Sequence, residues 1–128
     1  MSNEQRFSTT HQWAKRINET QVSVGISQHA EDALGDIVYV ELPELGKSVA
    51  AGEVLAGIES VKTASEIQSP VTGKLVACNT NLADAPEQLN EAPLITWIFV
   101  LEADAAQLDK EWQELLDAAA YEAFLDTL

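Results

Sequence analysis

Lys62 lies in Glu59-Ser60-Val61-Lys62-Thr63-Ala64-Ser65-Glu66, a short polar segment between two runs that read as strands. Before it, Val54-Leu55-Ala56-Gly57-Ile58 is apolar and small. After it, Ser65-Glu66-Ile67-Gln68-Ser69 alternates polar and apolar residues with the period of a half-buried strand, and Pro70 limits further pairing. A lysine at such a tip extends its aliphatic stem and amine into water, where an enzyme can acylate it. The pattern describes a chemical handle rather than a catalytic pocket. Ser60, Thr63, Ala64 and Ser65 are also ordinary turn residues, so on these residues alone an unmodified surface turn stays open beside the acylated one.

Other residue types that do chemistry form no constellation. His11 and His29 fall on different predicted elements, and neither has a cysteine or carboxylate at metal-ligand spacing, so a metal site is not expected. Cys78 is alone, which excludes an internal disulfide, and Val76-Ala77-Cys78 reads as a strand in which the thiol packs as a small apolar group. Gly-rich phosphate loops are absent from the chain. Trp13, Trp97 and Trp112 read as core aromatics of a small domain in preference to a ligand face.

The elements that must hold the lysine are mostly short strands. Segments 12–17, 22–26, 37–42, 54–58, 65–68, 74–78 and 97–101 carry strand patterns, with Asn18-Glu19-Thr20 closing a hairpin between the first two. Ser27 is placed to cap a short helix over 28–34 that stops at Gly35. Leu94 to Leu101 is the longest apolar stretch and has the length of a strand, well short of a membrane span. From residue 107 to 128 the composition turns to Ala, Leu and Glu, with Leu115, Leu116, Ala119 and Ala123 at helical spacings, which predicts helix packed on the β region.

Length and charge bound the rest. At 128 residues the expected organisation is a single domain over 1–128, with a core from about 7 to 103 and a helical segment from about 105. Asp and Glu number 21 against 7 Lys and Arg, and the net charge of -14 repels nucleic acid and anionic membranes. The first six residues lack the basic-then-apolar pattern of a secretory signal, so the expected setting is cytoplasmic; the expected state is monomeric.

Set together, these blocks resemble a known family. Glu59-Ser60-Val61-Lys62, followed by Ser65-Glu66 and Ser69-Pro70-Val71, is similar to the lipoyl-attachment motif of the glycine cleavage system H protein. His11-Gln12-Trp13, Val24-Gly25-Ile26-Ser27, Leu34-Gly35-Asp36, Val40-Glu41-Leu42-Pro43-Glu44 and Ala118-Ala119-Ala120-Tyr121 extend the similarity over nearly the whole chain. The resemblance implies a mainly β barrel-sandwich hybrid with a short connecting helix and C-terminal helices. It also implies a non-catalytic carrier with lipoate amide-linked to Lys62. The implied partners are a decarboxylating glycine dehydrogenase, an aminomethyltransferase, dihydrolipoamide dehydrogenase and a lipoate-attaching enzyme.

The resemblance further implies a cleft that shelters the loaded arm, with Thr10, Gln12 and Glu66 at the matching positions. Two of these depart from the family pattern: neutral Gln12 stands where a carboxylate is usual, and Glu66 replaces a shorter Asp. The segment before Trp97 lacks the usual Gly, and residues 105–114 look longer than the family's linker. Two other lysine-carrying roles fit parts of the pattern. An H-like protein that relays lipoyl groups to 2-oxoacid dehydrogenases would use the same Lys62. A biotinyl or lipoyl domain of another complex is disfavoured by the lysine's neighbours, which include neither Met nor an Asp-Lys-Ala run.

Overall fold

The computed structural model describes residues 4–128. In chain order its elements are β1 (Gln5–Phe7), β2 (Gln12–Arg16), β3 (Gln21–Ile26), α1 (Gln28–Leu34), β4 (Ile37–Glu41), β5 (Ser48–Val49), β6 (Val54–Ser60), β7 (Ala64–Gln68), β8 (Gly73–Cys78), α2 (Asn81–Asp84), α3 (Gln88–Glu91), β9 (Phe99–Glu102), α4 (Ala105–Glu114) and α5 (Ala118–Leu125). Among these residues the strands form a six-stranded sheet ordered β1-β2-β3-β9-β8-β5 and a three-stranded sheet ordered β4-β6-β7, all antiparallel. This is the mainly β, two-sheet arrangement with accessory helices that a barrel-sandwich hybrid requires.

Alternation explains how the sheets share one interior. Val22 and Val24 on β3 pair across with Leu101 and Phe99 on β9, and all four are fully buried. From the small sheet, Val40 pairs with Ile58, and both join Ile67 and Leu75 in the same cluster. Each such side chain contributes about 1.5–3 kcal/mol relative to exposure. The hairpin expected at Asn18-Glu19-Thr20 is present, with Arg16 opposite Val22 and Asn18 Oδ1 accepting from the amides of Thr20 and Gln21 at 3.0 and 2.9 Å.

The structure revises several expected boundaries. β6 runs to Ser60 and β7 begins at Ala64, so the lysine turn is tighter than the sequence implies. Strand is not continuous from Leu94 to Leu101: residues 93–95 turn, with Ile95 and Thr96 amides donating to Ala92 O, and β9 begins at Phe99. Leu94 and Ile95 are therefore exposed, Ile95 at 81%. Pro93 helps set this break because its ring fixes φ and offers no N–H. The short elements β1, β5, α2 and α3 carried no readable period.

The tail is two helices, and only part of the predicted apolar stripe packs on the β region. Leu115 and Leu116, in the link between α4 and α5, are half-buried and pack against the core, while Ala119 and Ala123 are exposed; the buried residues are Leu108, Trp112 and Tyr121. Helix α4 ends because Leu116 exchanges two backbone hydrogen bonds with Phe7, at 2.7 and 2.9 Å, and Asp117 then caps α5 by accepting from Ala120 N at 2.8 Å. Residues 105–114, which look longer than the family's linker, form α4, capped by Asp104. Glu111 fastens this helix to the turn before β8, accepting from Thr72 N and Thr72 Oγ1, both at 2.7 Å.

Candidate functional site

The β6–β7 hairpin closes on itself at Ser60 and Thr63. Ser60 N donates to Thr63 O at 2.8 Å, and Thr63 N donates to Ser60 Oγ at 3.1 Å. Val61 and Lys62 form the apex, both exposed, and one strand of the hairpin continues the pairing of β4, with Ile37 opposite Ser60. The backbone beneath the apex is thus firmly held while the lysine is free to be reached. Among the described residues, no hydrogen bond or ion pair engages the Lys62 amine.

Helix α1 lies alongside. Ser27 caps it as expected, its Oγ accepting from Ala30 N at 3.2 Å, and Gly35 ends it at φ 73°, a conformation that favours glycine. The lysine stem rests over this glycine: a Cβ at Gly35 would stand 3.2 Å from Lys62 Cε.

Between α1, the start of β7 and residues 10–12 lies a cleft of about 250 Å³. Ile26, Ala30, Leu34, Ile58 and Ile67 supply apolar lining, and Thr63 and Ala64 bring its edge to the residue next to Lys62. Thr10 and Gln12 line this one cleft together with Glu66, more than fifty positions further along the chain. Their states differ. Glu66 is exposed and its carboxylate has no hydrogen bond or ion pair among the described residues, whereas Gln12 is buried at 4% exposure. Ser8 Oγ donates to Gln12 Oε1 at 3.0 Å, Thr10 Oγ1 also donates to it, and Gln12 Nε2 donates to Thr10 O at 2.9 Å. Both lone pairs of the Gln12 oxygen are therefore engaged inside the 8–12 turn.

Sequence reading missed a polar assembly beside the cleft. His11 and His29 are not remote from each other: their ring centroids are 4.4 Å apart. His11, at φ 75°, holds Tyr121 OH through Nδ1 at 2.6 Å, Tyr121 donates to Ser27 Oγ at 2.8 Å, and Ser27 N donates to His11 O at 3.0 Å. With Tyr121 donating to Ser27, His11 carries its proton on Nδ1. The hairpin register was the available signal, since Gln12 opposite Ile26 puts residue 11 beside residue 27 and the first turn of α1 next to it. Tyr121 had no such signal, because α5 arrives from the far end of the chain. Among the described residues, no group of three or more His, Cys, Asp or Glu side chains is gathered to hold a metal ion.

Burial, and then the neighbouring His29, hold the His11 imidazole below its ordinary pKa of 6.5. The folded protein thus resists a proton that the unfolded chain accepts, so this group's contribution to stability is present above about pH 6.5 and is lost as pH falls below it. We expect chemical-denaturation midpoints to fall between pH 7 and pH 5, and to fall less steeply in His11→Asn, which tolerates the same backbone conformation. An identical slope in the variant would contradict this assignment.

The site is an exposed lysine on a braced hairpin beside an apolar-walled cleft, and known proteins share the chain that builds it. The glycine cleavage H-protein family model matches residues 5–128. The chain belongs to the glycine cleavage H-protein family. It is 49% identical over 124 residues to glycine cleavage system H protein 2 of Pseudomonas aeruginosa, covering 96% of this chain and 93% of that one. It is 47% identical over 122 residues to a probable glycine cleavage system H protein of Thermococcus gammatolerans, covering 95% and 90%. The crystal structure of a glycine cleavage system H protein from Mycobacterium marinum superposes over all of both chains with a TM-score of 0.83 at 32% identity. As an H-protein family member the chain is a non-catalytic lipoyl carrier of glycine cleavage, and the relay to 2-oxoacid dehydrogenases is not favoured. Among its described residues, no helix is long and apolar enough to cross a membrane.

Proposed function

We propose that Lys62 is the residue to which lipoate is joined, and that the adjoining cleft shelters the arm when it bears the aminomethyl group of glycine. The observation that carries this reading is an exposed lysine at the edge of a cleft walled by Ile26, Ala30, Leu34 and Ile58. An aliphatic acyl chain suits such walls, and a charged ammonium does not. Amide formation removes that ammonium charge and lengthens the side chain into a tether. When attached, lipoate supplies a dithiolane whose sulfur takes up and yields the one-carbon cargo.

The chain's own residues contribute presentation and shelter. A hairpin held by backbone pairing offers the lysine to each partner in one orientation. Those partners are a decarboxylating glycine dehydrogenase, an aminomethyltransferase, a dihydrolipoamide dehydrogenase and a lipoate-attaching enzyme. A net charge of -14 favours basic patches on them, so association should weaken as salt is raised. Adding the lipoylated protein to purified glycine dehydrogenase should release carbon dioxide from glycine. Lipoyl transfer to a 2-oxoacid dehydrogenase without that release would point to the relay role instead.

Shelter within the cleft depends on Thr10, Gln12 and Glu66. Gln12 contributes no charge, and its oxygen is already satisfied by Ser8 and Thr10, which leaves Glu66 as the anionic group among the three. An aminomethyl amine held there gains little ion pairing and stays accessible to water. Gln12→Glu should therefore lengthen the lifetime of the aminomethyl form about tenfold or more, the effect of one charge-assisted hydrogen bond. Equal hydrolysis rates in the two proteins would remove Gln12 from this role.

A further inference from the structure

We propose that Asn90, on α3, is the positioning residue that braces the Lys62 turn for acylation, an inference that rests on Lys62 being the attachment site. Asn90 is remote from Lys62 in sequence and does not touch it. Its amide instead bridges the link between α1 and β4. Asn90 Nδ2 donates to Gly35 O at 2.7 Å and to Glu31 Oε2 at 2.9 Å, while Asn90 Oδ1 accepts from Ile37 N at 2.9 Å. One side chain thus holds the backbone on both sides of Asp36.

Asp36 is the residue that reaches the apex. Its carbonyl accepts from Val61 N at 2.9 Å, immediately before Lys62. The same segment contains Gly35, over which the lysine stem lies, with Lys62 Cε 3.2 Å from a Cβ built there. Beyond the hairpin's own bonds and its pairing with β4, the Asp36–Val61 bond is the backbone tie between the apex and its surroundings among the described residues. Local alternatives for the groups Asn90 satisfies are poor: Gly35 O closes a helix C-terminus and Ile37 N opens a strand. Without Asn90, water takes these positions and the 35–37 segment loses its reference point. Leu89, fully buried beside Asn90, anchors α3 in the core, so the clamp is fixed to the rigid part of the protein.

This placement matters for the chemistry of modification. Acylation forms a bond between Lys62 Nζ and the carbonyl carbon of an activated lipoyl donor such as an acyl adenylate. The donor's leaving group departs with its bonding pair, and two protons leave the ammonium nitrogen. The reaction requires the amine at the attaching enzyme's acyl carbon in one geometry, and a wandering apex lowers the fraction of bound complexes that react. A brace on Val61 therefore acts on kcat more than on KM.

The test uses the full chain, comparing wild type with Asn90→Ala and with Asn90→Asp, which keeps the side chain's shape but loses both donors. Leu108→Val, in α4, is the control for general destabilisation. Hydrogen exchange at the Val61 amide and the kcat and KM of a purified lipoate–protein ligase are measured. We expect both Asn90 variants to speed Val61 exchange and to lower kcat about tenfold, with KM little changed, while Leu108→Val alters neither. Unchanged Val61 exchange with unchanged kcat, or an equal loss in Leu108→Val, overturns the proposal. Lys62→Arg run beside them separates the two ideas: lipoate still incorporated there refutes Lys62 as the attachment site, whereas Val61 exchange reports the Asn90 brace without any lipoate present.

Discussion

Lys62→Arg is expected to abolish the lipoyl mass increment and, with it, all glycine-dependent turnover, while the denaturation midpoint stays within experimental error of wild type. The side chain is exposed at a turn whose hydrogen bonds are made by Ser60, Val61 and Thr63, and arginine keeps an aliphatic stem over Gly35, so the exchange disturbs no buried packing. Arginine keeps the positive charge, but its guanidinium is always protonated and offers no free amine to an acyl donor. Intact mass after expression with a lipoate ligase reads the outcome directly. An increment that survives the substitution would move the attachment to Lys15, Lys47, Lys74 or Lys110 and would remove the functional meaning given to the hairpin and its cleft.

The largest stability effect is expected at Trp13. This side chain is 2% exposed, sits over Gly25 across the β2–β3 pair, and donates from Nε1 to Pro93 O at 2.8 Å. It belongs to a second cluster with Phe7 and Tyr121, whose rings stack at 4.5 Å. Trp13→Ala should cost about 3–5 kcal/mol, because a large void opens where β1, β2 and α5 converge. That loss corresponds to a fall in Tm of more than about 10 °C. Gly25→Ala approaches the same point from the other side, since the added Cβ would lie 2.5 Å from the indole ring, and should cost about 1–3 kcal/mol. Thermal scans that found Trp13→Ala within about 1 kcal/mol of wild type would show that this cluster does not hold the terminal elements together.

Legibility varied with element length and with the distance between partners. Segments of five or more residues with a clear period were readable, which is why β2, β3, β4, β6, β7 and β8 appear near their expected places. Two- and three-residue strands and four-residue helices are too short to show a period, and β1, β5, α2 and α3 exist because neighbours supply their partners. The tail misled for a related reason. Ala and Leu favour helix throughout 107–128, but the bridge from Leu116 to Phe7 cuts it in two, so that Trp112 and Tyr121 turn inward beside the half-buried Leu115 and Leu116 while Ala119 faces water.

The candidate site divides in the same way. The sequence alone determined a lysine on a polar turn between alternating strands, a capped helix ending at Gly35 and a strongly acidic surface, because these depend on residue type and near-neighbour spacing. Tertiary structure alone decided that Thr10 and Gln12 share one cleft with Glu66, that His11 meets both His29 and Tyr121, and that Asn90 braces the backbone under the lysine. These contacts join residues from 18 to 110 positions apart. Local preference carries no information about such meetings, because they follow from how two sheets close over a shared core and where the last helix comes to rest.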